Sequence, residues 1–390
     1  MSRSAALFFF LLLPLPPPLL ADGAVYLVAP FANRSTEPTL DWIGESISET
    51  VREALQSHGL GIARRDEREA AARKLGLGPG PQRSLASTGK IAEAVQAGWI
   101  IYGQFDLVQT EGAPRSLRIE GRILNLEQKR ELAEFSETGA FDDLALLQTR
   151  LAWQALQAIR PAEAGSREEF LRRHPAVKVT ALENYIRGLL APSPEIRHRL
   201  FTQAVRLDES LRGPFFYLGQ LHWKQEKYDV AVQWLERMTP QDEHFLEGRF
   251  MLGMAKHELS DFEAARQAFE FVLETTPRSE VYNNLGAAQL RLNHPAGLDN
   301  LRKAMELDPA IPEYHFNAGY ALWKRGEFEA AAERFRAVLD RSPEDQDALQ
   351  LLGRCLKRSG PRQGEWRTEG LERLREIPEE TAGSPRNQGH

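Results

Sequence analysis

The sequence predicts a multidomain chain, in which an N-terminal α/β domain on a mixed sheet, roughly βαβαβββα, precedes an all-α superhelical solenoid. Two patterns carry this reading. From residue 23 to about 160, strand-like and helix-like segments alternate, the mark of a mixed α/β layer structure. Beyond residue 178, glycines 188, 219, 253, 286, 319 and 353 recur at intervals of 31, 34, 33, 33 and 34 residues, each inside an apolar helical stretch.

The N-terminal elements follow in order. "AVYLVAPF" (24–31) is a continuous apolar run of buried-strand type. Asp41 is placed to cap a helix in which Ile43, Ile47, Val51 and Leu55 recur every four residues and so share one face. "LGIARR" (60–65) makes a short second strand and "EREAAARKLGL" (67–77) a polar helix. The turn-rich "GLGPGPQRS" leads to the helix "LASTGKIAEAVQAG" and the strand "WIIYGQFDLVQ" (99–109). "RSLRIEGRILNLE" and "RELAEFSETG" alternate apolar with polar residues, predicting two antiparallel strands. The amphipathic stretch 142–159 closes this domain (23–160), and the charged, Pro- and Gly-bearing 161–177 reads as a linker with a short helix.

The solenoid is assigned to 178–377. Twelve residues after Gly219, Gly253 and Gly319 stand Ala231, Ala265 and Ala331; after Gly286 the spacing is one shorter and brings Gly297. Leu235, Phe269, Leu301 and Phe335 lie four residues further on, and Pro277, Pro309 and Pro343 end their units. Small residues on two antiparallel helices let the backbones approach, and the large residue fills the groove beside them. A lone helix pair cannot bury its apolar face, so the pairs stack. "DALQLLGRCLKRSG" and "EWRTEGLERLREI" read as a degenerate capping pair, and 378–390 as a disordered tail.

The first residues form a class of their own. One basic residue, Arg3, precedes an apolar run from Ala5 to Leu20 that is short of the about 20 residues a membrane helix needs and is broken by prolines 14, 16, 17 and 18. This predicts a cleaved secretory signal over 1–21, cut after Ala21, and a periplasmic or secreted protein. Leu19 departs from the small residue preferred before such a cut.

Composition and motifs narrow the chemistry. A formal charge of −6 with 42% hydrophobic and 27% charged residues fits a globular protein and argues against a nucleic-acid partner. The single cysteine, Cys355, excludes an internal disulfide or a cysteine metal cluster and reads as a small core residue. "VAPFANRSTEPTLDWIGES" has the strand–loop–helix order of a phosphate cradle, yet contains no glycine between Ala24 and Ile43. In "STGK" (87–90), Ser84 takes the place of the first phosphate-loop glycine and Ile91 that of the Ser or Thr. "HELSD" (257–261) lacks the second histidine of a zinc-protease helix, and no Gly-x-Ser-x-Gly elbow occurs. No catalytic residue, cofactor or metal is expected.

The glycine period, the small-residue positions and the closing prolines resemble the tetratricopeptide repeat over residues 179 to about 345. That resemblance implies a concave groove lined by fixed positions of each unit. Carried onto this chain they are Phe216, Gln220, Trp223 and Lys224, then Phe250, Met254, His257 and Glu258. Next come Asn283, Leu290 and Arg291, then Phe316, Tyr320, Trp323 and Lys324, then Arg354, Lys357 and Arg358. Aromatic anchors edged by charge suit a peptide or helix of another protein, although some of these rings could equally be packed between neighbouring helices. Phe216, Phe250 and Phe316 occupy the places where a carboxylate clamp would carry polar residues, so an apolar partner is favoured.

"VAPFANRSTEP" with "LDWIGESISETVREALQSHGLGIARRDERE", "IAEAVQAGWIIYGQFDLV" and "RIEGRILNLEQKRELAEFSETG" resemble the TolB amino-terminal and curli-export (CsgG-like) domain family over residues 24–159. The resemblance implies protein contacts and assembly in the bacterial envelope. This chain has no lipidated cysteine and no amphipathic membrane hairpins, unlike a pore former. The expectation is a non-enzymatic exported scaffold, docking or forming a homo-oligomer through its N-terminal domain, without an integral membrane span. The alternative is a subunit or accessory factor of an outer-membrane secretion or assembly complex.

Overall fold

The computed structural model describes residues 24–78, 83–108, 115–361 and 371–377. Residues 1–21, where a signal is expected, part of the 76–84 loop, the first half of "EWRTEGLERLREI" and residues 378–390, where a tail is expected, lie outside the described residues. The chain divides into two compact units: residues to 141 with 146–175, and 142–145 with 176 onward.

The first unit is the expected mixed sheet with helices. Its elements are β1 (Val25–Val28), β2 (Ala32–Asn33), α1 (Trp42–Ser57), β3 (Gly61–Ile62), α2 (Arg65–Lys74) and α3 (Leu85–Ala94). They continue with β4 (Trp99–Val108), β5 (Ser116–Asn125), β6 (Arg130–Ala140), α4 (Leu144–Ile159) and α5 (Arg167–Arg173). The sheet order is β3-β1-β4-β5-β6, with β2 also pairing to β4. β1 pairs parallel with β3 and β4, whereas β4, β5 and β6 form an antiparallel meander. Leu27 and Ile100 pack with Ala71, Ala72, Ile91 and Ala92, so α2 and α3 cover one face. α1 and α4 meet through Gln148, which bonds Ser46 and Thr50.

Two details of the opening loop differ from or sharpen the sequence reading. Asp41 makes no side-chain cap, because its carboxylate instead accepts from Asn33 Nδ2 at 2.8 Å, and a single 3-10 turn over Pro38–Leu40 leads into α1. At Gly44 an added Cβ would stand 2.0 Å from the Phe31 carbonyl oxygen, and Phe31 N–H donates to Gly44 O at 3.0 Å. Glycine is thus required for the close approach of helix to strand. The segment 161–177 is not a free connector: α5 buries Phe170, which stacks on His58 at 5.3 Å within the first unit.

The second unit is a helical solenoid. Five antiparallel pairs follow one another: α6 (Val179–Leu190) with α7 (Pro194–Leu207), α8 (Pro214–Lys224) with α9 (Tyr228–Leu235), and α10 (Phe245–Glu258) with α11 (Phe262–Thr275). α12 (Ser279–Arg291) pairs with α13 (Gly297–Leu307), α14 (Pro312–Lys324) with α15 (Phe328–Leu339), and α16 (Gln346–Leu356) follows. In four pairs the first helix ends on a left-handed residue seven positions after its glycine, namely Glu226, Ser260, Asn293 and Gly326. This conformation stops the helix and reverses the chain.

The glycines meet their partners at very short range. A Cβ would stand 2.5 Å from Phe201 at Gly188, 2.6 Å from Leu235 at Gly219, 2.7 Å from Phe269 at Gly253 and 2.8 Å from Leu301 at Gly286. At Gly319 it would meet Arg334 Cβ at 3.0 Å and Phe335 at 3.1 Å. Ala231, Ala265 and Ala331 are fully buried on the second helices. Gly353 differs, since nothing lies within 4 Å of its Cβ position. Among the described residues no second helix follows α16. Residues 371–377, the end of the sequence expected to complete a capping pair, are not helical and lie against the inner helices instead.

Candidate functional site

The inner helices α8, α10, α12 and α14 share one feature, a face on which residues 371–377 ("LERLREI") are laid. Its centre is made of three asparagines that are wholly buried in helix interiors, Asn283, Asn284 and Asn317. Asparagine is a poor helix former, and a buried amide without partners is costly. Here each amide has partners. Asn317 Oδ1 accepts from Arg373 N–H at 2.8 Å, while Asn317 and Asn283 Nδ2 donate to Arg373 O at 2.8 and 2.9 Å. Asn284 does the same for Arg375, its Oδ1 accepting from N–H at 2.8 Å and its Nδ2 donating to O at 2.9 Å.

A side-chain amide carries the same donor and acceptor as a peptide group, so an asparagine can take the place of a neighbouring strand. Arg373 and Arg375 are two residues apart and present both polar groups to the asparagines, which is the period of an extended chain. These contacts read backbone and are independent of the side chains they hold.

Side chains add discrimination. Glu372 is 1% exposed, with Arg291 Nη1 at 3.3 Å and Lys324 Nζ at 3.8 Å. The Arg373 guanidinium lies 3.5 Å from the Phe316 ring centroid and pairs with Asp345 at 2.9 Å and Asp347 at 3.2 Å. That guanidinium holds the Asp345 carboxyl below its usual range. Arg375 pairs with Glu313 at 2.9 Å. Leu374 and Ile377 pack on the cluster that contains Phe250, Met254, Phe269 and Leu285, beside Trp223, whose Nε1 donates to Glu376 at 2.9 Å. Leu371 packs on the cluster of Phe316, Trp323 and Phe335.

The groove positions carried over from the repeat pattern therefore divide. Trp223, Asn283, Arg291, Phe316 and Lys324 touch residues 371–377 directly, and Phe250 and Met254 form the buried floor beneath. Trp323 is a core residue rather than an exposed anchor: it is 0% exposed, stacks on Tyr320 at 5.6 Å, and donates from Nε1 to Ser359 O. Tyr320 and Leu290 are likewise buried, and Phe216 stacks on His244 at 4.4 Å. Arg354 covers the Trp323 ring, and Arg358 pairs with Glu329. Gln220 is half-buried, while Lys224 and Lys357 are exposed. His257 is buried edge-on against Phe262 at 5.1 Å, and burial followed by the Arg291 charge pushes its pKa down to about 4. Burial and then Glu226 raise the Glu258 carboxyl.

Two residues escaped the positional rule, Asn284 and Asn317. Each stands two residues before its repeat glycine, in "NNLGAA" and "FNAGYA", and asparagine recurring inside a helix at the repeat period was the available signal. Among the described residues no group of three potential ligands could hold a metal ion, and no helix is long and apolar enough to cross a membrane.

Comparison with known proteins finds partial likenesses. The chain is 26% identical over 162 residues to the protein CTR9 homolog of Arabidopsis thaliana and 28% identical over 135 residues to the Hsp70-Hsp90 organizing protein of Triticum aestivum. These matches cover 39% and 34% of this chain but only 14% and 21% of the relatives, so the chain spans a minor part of their length. Among solved structures, MamA from Desulfovibrio magneticus RS-1 is 21% identical with a TM-score of 0.39, over 44% of this chain and 99% of that one. YrrB, described as a TPR protein with an unusual peptide-binding site, is 21% identical with a TM-score of 0.35, over 40% and 82%. Residues 316–360, which run from within α14 through α15 and α16, match the family model of the tetratricopeptide repeat.

Proposed function

We propose that this chain is a non-enzymatic, exported adaptor of the bacterial cell envelope whose solenoid groove captures an extended segment of another protein. The observation that carries this reading is the asparagine ladder, in which Asn283, Asn284 and Asn317 exchange five hydrogen bonds with the backbone of Arg373 and Arg375. A helix satisfies its own backbone and would leave the Asn284 Nδ2 donor and the Asn317 Oδ1 acceptor without the backbone partners they have here, so the ladder favours an extended peptide over a bound helix. The N-terminal unit, with its TolB- and CsgG-like sequence pattern, is the docking or oligomerising module. The signal-like 1–21 segment takes the chain to the periplasm.

An array of extended peptides probed with the full chain and with Asn317→Ala tests the groove. Binders lost in the variant support the reading, and binders indifferent to Asn317 overturn it. The envelope assignment is tested separately by fractionating the native host and sequencing the mature N-terminus. A start at Asp22 supports export, and retention of Met1 in the cytosol removes it.

A further inference from the structure

The groove is filled by the chain's own residues, and this bears on what can enter it. Residues 371–377 place apolar side chains at Leu371, Leu374 and Ile377, a carboxylate at Glu372 and guanidinium groups at Arg373 and Arg375. Each meets a complementary group: apolar clusters, Arg291 with Lys324, Asp345 with Asp347, and Glu313. The backbone ladder sets an extended conformation, and these pockets set the sequence.

The fit is nonetheless incomplete. Glu372 Oε1 is buried with no hydrogen bond, since Lys324 Nζ stands 3.8 Å away. The Trp223–Glu376 bond lies at the exposed edge. A buried carboxylate oxygen without a hydrogen bond costs free energy that a better-fitting chain recovers.

We propose that residues 371–377 are a resident competitor, and that the partner is an extended protein segment of the same pattern: apolar, acidic, basic, apolar, with a further apolar residue three positions on. This rests on the peptide-groove reading above. The segment is joined to Pro361 by nine residues, and a tether of that length gives an effective concentration on the order of millimolar. For a segment that binds with a dissociation constant near ~10 µM in trans, the groove is then self-occupied about 100 to 1, and a partner of equal quality binds about 100-fold more weakly than to an open groove. Only a segment that also hydrogen-bonds fully between Arg291 and Lys324, or is presented at high local concentration, displaces it. The groove thereby rejects weak apolar peptides.

The test uses full-length chains and a fluorescent peptide of residues 368–380. The variant E372K puts an ammonium group against Arg291 and Lys324 and expels the segment; L374D expels it independently by removing an apolar anchor. Thermal melts followed by circular dichroism establish that both remain folded. The expected result is that E372K and L374D bind the peptide at least tenfold more tightly than the unaltered chain, that a peptide carrying E372K does not bind, and that adding Asn283→Ala and Asn317→Ala abolishes binding. Equal affinity of the unaltered chain and both variants overturns the competitor while leaving the groove reading intact. Binding indifferent to the two asparagines overturns both. No binding by any chain overturns this inference, and the groove reading then stands or falls on the peptide array.

Discussion

Asn317 and Arg373 exchange two hydrogen bonds, each 2.8 Å long, so that one side-chain amide holds both backbone groups of a residue 56 positions away. Asn283 supports the pair by donating to the same carbonyl at 2.9 Å, and it accepts from Asn317 Nδ2 at 2.8 Å. Replacing Asn317 by Ala leaves the Arg373 N–H without its acceptor, a loss of about 1–3 kcal/mol for a buried donor. The expected outcome is release of residues 371–377 with the solenoid still folded. Hydrogen exchange at the Arg373 amide, at least tenfold faster in the variant, checks it.

Trp223 and Trp323 occupy the same repeat position, and their substitutions should separate. Trp323 is fully enclosed and its Nε1 is bonded to Ser359 O at 2.7 Å, so Trp323→Ala opens a cavity and costs about 3–5 kcal/mol of solenoid stability. Trp223 is only half-buried and holds Glu376, at the edge of the cluster on which Ile377 also packs. Trp223→Ala should therefore leave the melting temperature nearly unchanged and weaken retention of residues 371–377. Paired melts and hydrogen exchange distinguish the two.

The difference between these tryptophans explains how far the sequence could be read. The repeat period fixes which residues share a face, because five of its six glycines, Gly188, Gly219, Gly253, Gly286 and Gly319, mark where helices touch. The alternation of strand and helix gives way to a single period near residue 178. That period could not tell Trp223 from Trp323, because burial at that position depends on the neighbouring pair, and Trp323 lies under Arg354 from α16. Residues 371–377 were beyond reach for a different reason. "LERLREI" has helical spacing at Leu371, Leu374 and Arg375, and local pattern favours a helix. The asparagines that hold it extended are 56 to 91 residues distant in the chain. Long-range backbone pairing of this kind leaves no local periodicity.

Two glycines with the same sequence signature should respond with opposite sign. At Gly253 an added methyl meets the Phe269 ring at 2.7 Å, and overpacking of this kind costs about 1–3 kcal/mol. At Gly353 the same methyl meets nothing within 4 Å, so Gly353→Ala gains helix propensity worth up to about 1 kcal/mol. Urea unfolding of the two variants reads both changes, with the midpoint falling for Gly253→Ala and rising for Gly353→Ala.

Acid should loosen the solenoid before it breaks the carboxylate contacts. His257 takes up a proton in the unfolded chain near its ordinary pKa of 6.5, but in the folded chain only near 4, because it is buried first and faces Arg291 second. The unfolded state therefore binds more protons throughout this interval, and stability falls as pH drops from 6.5 toward 4. The full shift corresponds to about 3 kcal/mol. Asp345 acts in the other sense: Arg373 depresses its pKa below 3.8, so its contribution is complete above that value and is lost only at lower pH. His222 and His315 are also lowered by burial and add to the histidine effect in the same unit. His257→Gln should consequently flatten the decline between pH 6.5 and 4.5 without altering the loss below pH 4. Urea midpoints at pH 7, 5.5 and 4.5 for the two chains measure the difference, and parallel declines would mean that His257 carries no part of it.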